Sequence, residues 1–201
     1  FFSVAGLLAA GEAPLELAGV GLNPTRTGLL DILRLMGGRI ELRNEREACG
    51  EPVADLRVWR SELQGIDVPP ELVALAIDEF PVLFVAAALA EGVTRVRGAE
   101  ELRVKESDRI GVMARALHAT GVAVTEHPDG LDVRGGRLGS GTVDSAGDHR
   151  VAMAFAVGAT RAEGPIRIND IANVATSYPA FAADAARLGM TIEPIPPGRA
   201  A

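Results

Sequence analysis

The feature that most constrains the fold of this 201-residue chain is an internal repeat with two halves. The first half is an Ala-rich apolar stretch, followed by a Gly with a Glu beside it and then by a short run in which apolar and polar residues alternate. The second half is an amphipathic stretch that ends in Gly and leads into another alternating run. The first half lies at residues 2–17, 81–96 and 151–168, and the second at 28–42, 108–124 and 179–192. This pattern predicts one supersecondary unit used three times, because a single unit cannot bury its own apolar face.

Helices are predicted in the second halves by the spacing of their apolar residues. Leu29, Ile32, Leu33 and Met36 stand at i, i+3, i+4 and i+7, which places them on one face of a helix. A Gly ends each of these stretches, at positions 37, 121 and 189. Gly can adopt the left-handed conformation that closes a helix, so we expect a strand to follow each one.

One further strand completes the predicted unit. The turn at residues 127–130 leads from one alternating run into another, which is typical of a hairpin. We therefore predict an α/β fold in which a unit of helix, strand, helix and strand, with one extra strand, occurs three times, at about residues 1–43, 78–134 and 148–194, so that the units cover nearly all of residues 1–201. Residues 44–65 and 134–147 are expected to be less regular connections. Because the chain opens on Phe1 without an initiator Met, we also expect it to be truncated at its N-terminus.

Composition limits the classes of partner. The net charge of −7 disfavours binding to nucleic acid or to an anionic membrane surface. Cys49 is the only cysteine, which excludes an intrachain disulfide and favours a reducing cytoplasm. The longest apolar run, residues 80–90, is far shorter than the roughly 20 residues that cross a bilayer, and it predicts a buried helix. The three histidines show no metal-ligand spacing, so we expect no metal site.

The loops that precede the predicted helices combine fixed charges with capping residues. If the three units pack about a common axis, these loops converge, and helix N-termini carry free N–H groups and the positive end of the helix dipole. The pattern predicts an anion site. Asp78 and Asp148 occupy the same place in successive copies, directly before an Ala-rich helix, where capping alone would explain both. The charged run at residues 103–109 could likewise be an ordinary solvated helix start.

Four short motifs in one order resemble the EPSP synthases, the 3-phosphoshikimate 1-carboxyvinyltransferases. They are Asn-Pro-Thr-Arg-Thr-Gly at 23–28, Ile-Asp-Glu-Phe-Pro at 77–81, Leu-Arg-Val-Lys-Glu-Ser-Asp-Arg at 102–109 and Asp-His-Arg-Val-Ala-Met at 148–153. The resemblance implies a protein of two similar lobes, each made of three βαβαββ units. This chain looks like the lobe that carries the C-terminus. Since the other lobe is absent, we expect the 201 residues alone to be inactive.

The resemblance also implies a reaction and a set of site residues. The enolpyruvyl group of phosphoenolpyruvate would be transferred to the 5-hydroxyl of shikimate 3-phosphate, without metal or cofactor, in a cytoplasmic protein that is a monomer at full length. Arg109 and Arg150 would bind phosphoenolpyruvate, and Asp78 and Lys105 would bind shikimate 3-phosphate. Glu106 would be the catalytic acid and Asp78 the catalytic base.

One departure and two alternatives accompany this interpretation. Some members of the family have Lys before the Ser-aromatic-Pro motif of the third unit, whereas this chain has Thr176, as in the subclass that includes many glyphosate-tolerant members. A phosphate contact from Thr176 is therefore in doubt. The alternatives are the enolpyruvyl transferase that acts on UDP-N-acetylglucosamine, against which the motif at 102–109 argues, and a non-catalytic binding fragment.

Overall fold

The computed structural model describes residues 1–195, so the last six residues of the predicted lobe lie outside the described part of the chain. The α-helices are Phe2–Ala9 (α1), Gly28–Leu35 (α2), Pro70–Val73 (α3), Phe80–Ala88 (α4), Arg109–Ala119 (α5), His149–Gly158 (α6), Val174–Ser177 (α7) and Phe181–Arg187 (α8). The strands are Leu15–Gly21 (β1), Ile40–Ala48 (β2), Glu51–Val58 (β3), Val93–Arg95 (β4), Ala123–His127 (β5), Gly130–Arg134 (β6), Gly141–Asp144 (β7) and Ile166–Asn169 (β8). Shorter 3-10 helices span Ala74–Glu79, Glu100–Val104 and Ala159–Arg161.

The predicted succession of helix, strand and helix occurs as α1-β1-α2, α4-β4-α5 and α6-β8-α8. The strands form two antiparallel sheets, ordered β1-β3-β2 and β4-β6-β5, and one parallel pair, β7-β8. The predicted hairpin is confirmed as β5-β6, which pairs His127 with Gly130 at its turn. Gly37, Gly121 and Gly189 all have positive φ, as expected for residues that close helices.

Three Ala-rich helices form the centre of the molecule. Helices α1, α4 and α6 contact one another in every pairing. All nine residues of α4 are buried, which confirms the predicted buried helix, because a helix that is apolar on every side must be enclosed. The sheets lie outside these helices and contribute buried residues such as Leu56, Val133 and Val143 to the same core.

The structure corrects two of the expected connections. Residues 44–58 are mostly strand, because β2 continues to Ala48 and β3 pairs with both β1 and β2, whereas residues 59–65 form neither helix nor strand apart from an isolated bridge at Gln64. Within residues 134–147, strand β7 pairs with β8. The outer half of the β2-β3 hairpin is exposed, so its sequence lacks the apolar alternation by which a strand is recognised.

The strand predicted after Gly189 is wrong, since residues 190–195 form neither helix nor strand. A strand is stabilised by a neighbour in its ladder, and the third sheet has only β7 and β8 among residues 1–195.

Within residues 1–195, no helix combines the length and apolar character needed to span a membrane.

Candidate functional site

Asp78 is the centre of a charged cluster that joins the loops before four helices. Its carboxylate lies 3.2 Å from Arg26 Nη2, 3.4 Å from Lys105 Nζ, 3.5 Å from Arg109 Nη1 and 3.9 Å from Arg150 Nη2. These cations precede or begin α2, α5 and α6, whereas Asp78 lies just before α4. The predicted convergence of the loops is therefore found for these four.

The two aspartates for which capping was one of the interpretations behave differently. Asp148 caps α6, since its Oδ1 accepts a hydrogen bond from the backbone N–H of Arg150 at 2.9 Å. Asp78 caps nothing, because the 3-10 helix Ala74–Glu79 continues into α4 and makes Glu79 its N-cap residue. The capping interpretation of Asp78 is wrong, and its side chain is instead directed at the cations.

Arg109 is the buried member of the cluster, with 1% of its side chain exposed. Its Nε donates to Asp148 Oδ2 at 2.8 Å, and its Nη2 contacts Glu106. The Nη1 atom has no hydrogen-bond partner within residues 1–195, although Asp78 lies within ion-pair distance. A buried guanidinium is costly unless its charge is balanced, and the fully buried Asp148 provides that balance.

Asp148 belongs to the cluster, although the sequence reasoning assigned it no role in the site and noted only that it could cap a helix. Besides Arg109 and the N-terminus of α6, its Oδ2 accepts a hydrogen bond from the hydroxyl of Ser107 at 3.1 Å. The carboxylate therefore ties the segment from Leu102 to Arg109, hereafter the signature segment, to α6. The occurrence of Asp two residues before Arg150 and at a helix start was the available signal, but it did not indicate contact with Arg109.

Lys105 and Arg150 also have acidic partners. Lys105 forms an ion pair with Glu101, one turn earlier in the chain. Arg150 Nη1 donates to the backbone carbonyl of Asp78 at 2.9 Å and to Glu79 Oε1 at 3.3 Å. The cations of the cluster are thus paired with carboxylates of the chain itself.

The charges around the two aspartates determine their ionisation. Burial opposes ionisation of Asp78, but the charges of Arg150, Lys105 and Arg109 outweigh it and hold the pKa of that carboxyl below its ordinary value. Burial likewise opposes ionisation of Asp148, and the hydrogen bond and charge of Arg109 lower its pKa nonetheless. Both groups are carboxylates at neutral pH.

The predicted site residues Asp78, Lys105, Glu106, Arg109 and Arg150 thus lie together. Sequence reasoning omitted four members of the cluster: Arg26, Glu79, Glu101 and Asp148. The signal for Arg26 was its place in the motif at 23–28, but an Arg in a loop does not by itself specify a partner. Thr176 remains doubtful as a phosphate ligand, since its hydroxyl donates to the backbone carbonyl of Asn173 at 2.9 Å.

The cluster lies on an open face of the molecule. Arg26 and Glu106 have 60% and 49% of their side chains exposed. A cavity of about 610 Å³ lies between the C-terminal ends of α1 and α8, and one of about 240 Å³ lies beside Arg60 and Arg161. Neither cavity is lined by a residue of the cluster. Part of the cluster is therefore exposed at the surface of the described chain.

Comparison with known proteins identifies the family. The profile of EPSP synthase (3-phosphoshikimate 1-carboxyvinyltransferase) matches residues 1–184. The chain belongs to the EPSP synthase family. A 3-phosphoshikimate 1-carboxyvinyltransferase of Acidithiobacillus ferrooxidans is 57% identical over 193 residues, which are 96% of this chain and 44% of that protein. The one from Xanthomonas campestris is 54% identical over 196 residues, with the same two coverages.

Solved structures agree with this family membership. EPSP synthase from Acinetobacter baumannii matches 96% of this chain and 45% of its own, with a TM-score of 0.91 and 46% identity. The enolpyruvyl transferase NikO from Streptomyces tendae matches 96% of this chain and 42% of its own, with a TM-score of 0.74 and 22% identity, which indicates a shared fold. The chain spans less than half the length of the curated relatives that it matches.

Proposed function

We propose that this chain supplies one wall of the active site of an EPSP synthase, which transfers the enolpyruvyl group of phosphoenolpyruvate to the 5-hydroxyl of shikimate 3-phosphate. The observation that carries this proposal is the convergence of Arg26, Lys105, Arg109 and Arg150 on Asp78 at the starts of helices. Both substrates are anions, and cationic side chains beside helix N-termini are suited to binding them.

Arg109 and Arg150 bind the carboxylate of phosphoenolpyruvate. A guanidinium can bind a carboxylate through two parallel hydrogen bonds, which fixes its orientation as well as its position. The buried Nη1 of Arg109 supports this assignment, because it can donate a hydrogen bond without giving up an existing one. Arg150 lies on the other side of Asp78 and is held there by Glu79.

Lys105 and Asp78 bind shikimate 3-phosphate, and Asp78 is also the base that accepts the proton of the 5-hydroxyl. Its lowered pKa keeps it ionised, as a base must be before the reaction. When the substrate anions bind Arg109 and Arg150, their negative charge offsets part of the positive charge that acts on Asp78, and its basicity increases. Glu106, which contacts Arg109, is the acid.

The proposed reaction has two steps. In the addition, the 5-hydroxyl oxygen bonds to C2 of phosphoenolpyruvate, Asp78 takes the hydroxyl proton, and Glu106 gives a proton to the methylene carbon C3. In the elimination, the Glu106 carboxylate takes a proton from C3, a double bond forms between C2 and C3, and the bond from C2 to the phosphate oxygen breaks. Phosphate leaves with the proton that Asp78 had accepted, so both side chains return to their starting states. Positive charge from Lys105 stabilises the negative charge that develops between the substrates. The scheme requires neither a metal nor an organic cofactor.

The remaining parts of the proposal concern the whole protein. A second lobe supplies the opposite wall of the site and further phosphate contacts. We place the complete protein in the cytoplasm as a monomer, and the single Cys of this chain is in keeping with a reducing compartment. Nucleic acids and membranes are not among the proposed partners.

The reaction can be tested by completing the chain with the part of the Acidithiobacillus ferrooxidans relative that it does not match, hereafter the completed protein. Phosphate release would be measured with phosphoenolpyruvate and either shikimate 3-phosphate or UDP-N-acetylglucosamine as the acceptor. We expect turnover with shikimate 3-phosphate. Turnover with the UDP-sugar alone would support the alternative transferase, and no turnover with either acceptor would support a non-catalytic fragment.

Glu106→Gln and Asp78→Asn test the assigned acid and base in the completed protein. Each removes a proton-transfer group while keeping the side-chain shape, so kcat should fall by roughly 100- to 10,000-fold. The effect on KM should be smaller, because both groups act mainly on the transition state. Asp31→Asn is the matched control, since Asp31 is an exposed carboxylate paired with Arg34. A variant that retained the kcat of the unsubstituted protein would lose its place in the mechanism.

A further inference from the structure

The guanidinium of Arg103 is occupied by hydrogen bonds on all of its nitrogens. Its Nε donates to the backbone carbonyl of Pro128 at 2.7 Å. Its Nη1 donates to both carboxylate oxygens of Asp108, at 3.1 and 2.8 Å. Its Nη2 donates to Glu126 Oε1 at 2.9 Å and to the backbone carbonyl of His127 at 2.7 Å. Arg103 is therefore a structural junction that lies within the signature segment.

These bonds connect three parts of the fold. Arg103 belongs to the 3-10 helix Glu100–Val104, Asp108 is the N-cap residue of α5, and residues 126–128 form the end of β5 and the start of its turn. Asp108 is itself fixed, since its Oδ1 accepts the backbone N–H of Gly111 at 3.1 Å. Residues 105–107 lie between the two helices and outside both. They are consequently held at both ends by one guanidinium.

The arrangement differs from an ordinary surface ion pair, which contributes little to stability. Two of the acceptors are backbone carbonyls at the hairpin turn, where the pairing of β5 with β6 fixes their position. Only 28% of the Arg103 side chain is exposed. A planar fork of five N–H groups can reach all of these acceptors, whereas the single ammonium of Lys cannot.

We propose that Arg103 is a positioning residue that clamps the signature segment against the β5-β6 turn and thereby sets where Lys105 and Glu106 meet the substrates. This inference rests on the proposed function. Lys105 and Glu106 have their own partners in Glu101 and Arg109, but those contacts fix the ends of the side chains and not the backbone that carries them. Arg103 fixes that backbone, and it does so without touching the reacting atoms.

Arg103→Lys and Glu126→Gln in the completed protein test the clamp. Misplacement of a catalytic group by about 1 Å can cost on the order of 100-fold in rate, so Arg103→Lys should lower kcat by a factor between 10 and roughly 100. The KM values should change less than kcat. Amide hydrogen exchange of residues 104–109 should become faster. Glu126→Gln removes the charge of one anchor and so weakens its hydrogen bond from Arg103, and it should produce the same changes to a smaller extent.

Arg46→Lys is the matched control. Arg46 donates to Asp55 at 3.1 Å and to the backbone carbonyl of Asn44 at 2.8 Å in the β2-β3 hairpin, away from the cluster. It should leave kcat and the exchange of residues 104–109 unchanged. Unchanged kcat and exchange in Arg103→Lys would overturn the proposal, as would equal losses in the Arg46 variant.

Two further outcomes have a defined meaning. If Arg103→Lys fails to fold, Glu126→Gln decides, and wild-type kcat and exchange in that variant would reject the clamp. If the unsubstituted completed protein has no turnover, the proposed function fails. In that case hydrogen exchange still decides whether Arg103 holds residues 104–109.

Discussion

At the scale of single residues, the cations of the cluster have two kinds of acidic partner, one buried and the others exposed. Arg109 is bound on one side by Asp148, which is fully buried. Arg109 also pairs with Glu106, whose side chain is 49% exposed. Lys105 pairs with Glu101, whose side chain is 62% exposed. Exposed ion pairs are weak and easily exchanged, whereas a buried pair is expensive to break. Under the proposed function, substrate anions would replace Glu101 and Glu106 as partners of Lys105 and Arg109, while Asp148 keeps Arg109 in place.

Asp148→Ala should destabilise the chain strongly. The substitution leaves the buried charge of Arg109 without its partner and removes the cap of α6. Breaking a buried pair in this way costs about 3–5 kcal/mol, which urea denaturation of the 201-residue chain would measure. Asp31→Ala removes an exposed pair and should cost less than about 1 kcal/mol. Equal losses in the two variants would contradict a special role for Asp148.

The same carboxylates predict how stability depends on pH. The pKa values of Asp78 and Asp148 are lowered in the folded chain, so the unfolded chain binds more protons in acid. Their contribution is complete above the ordinary Asp pKa of about 3.9 and is lost as pH falls through the lower, folded pKa. Denaturation midpoints should decrease in this acidic range. The decrease should be shallower in Asp148→Asn, and an unchanged slope in that variant would argue against the prediction.

At the scale of secondary-structure elements, the helix starts position the site. The repeat in the sequence predicted that the loops before helices converge, and the contacts among Arg26, Asp78, Arg109 and Arg150 agree with this. The local sequence did not indicate that Ala74–Glu79 form a 3-10 helix that runs into α4, so that Asp78 does not cap α4. That outcome depends on how residues 74–79 pack against α2 and the 3-10 helix Glu100–Val104.

Close packing of the central helices gives a prediction for Gly158 in α6. A Cβ at this position would lie 2.7 Å from Val85 Cγ1 and 2.9 Å from Leu138 Cδ2. Gly158→Ala should therefore lower the free energy of unfolding by about 1–3 kcal/mol, although Ala is the better helix former. Gly11→Ala is the control, since its Cβ would meet nothing within 4 Å. Thermal denaturation of both variants would show whether the clash or the helix propensity dominates.

At the scale of the whole molecule, the proposed function assigns only one wall of the active site to this chain. Its charged cluster is open, and the chain corresponds to 44% of its relative from Acidithiobacillus ferrooxidans. We expect no phosphate release from the isolated 201 residues and measurable turnover from the completed protein. Calorimetry should likewise detect binding of shikimate 3-phosphate only to the completed protein. Tight binding to the isolated chain would contradict a site divided between two lobes.

The sequence by itself determined the α/β class, the helix boundaries marked by Gly37 and Gly121, the buried α4 and the loops that carry the charges. These features follow from periodicity and from the conformational freedom of Gly, which are local properties. Only the tertiary structure decided the partners: Asp148 with Arg109, Arg26 with Asp78, and Arg103 with the β5-β6 turn. Each of these contacts joins residues that lie more than 20 positions apart. Whether a charge caps a helix, faces solvent or balances a buried guanidinium depends on which distant segments pack beside it.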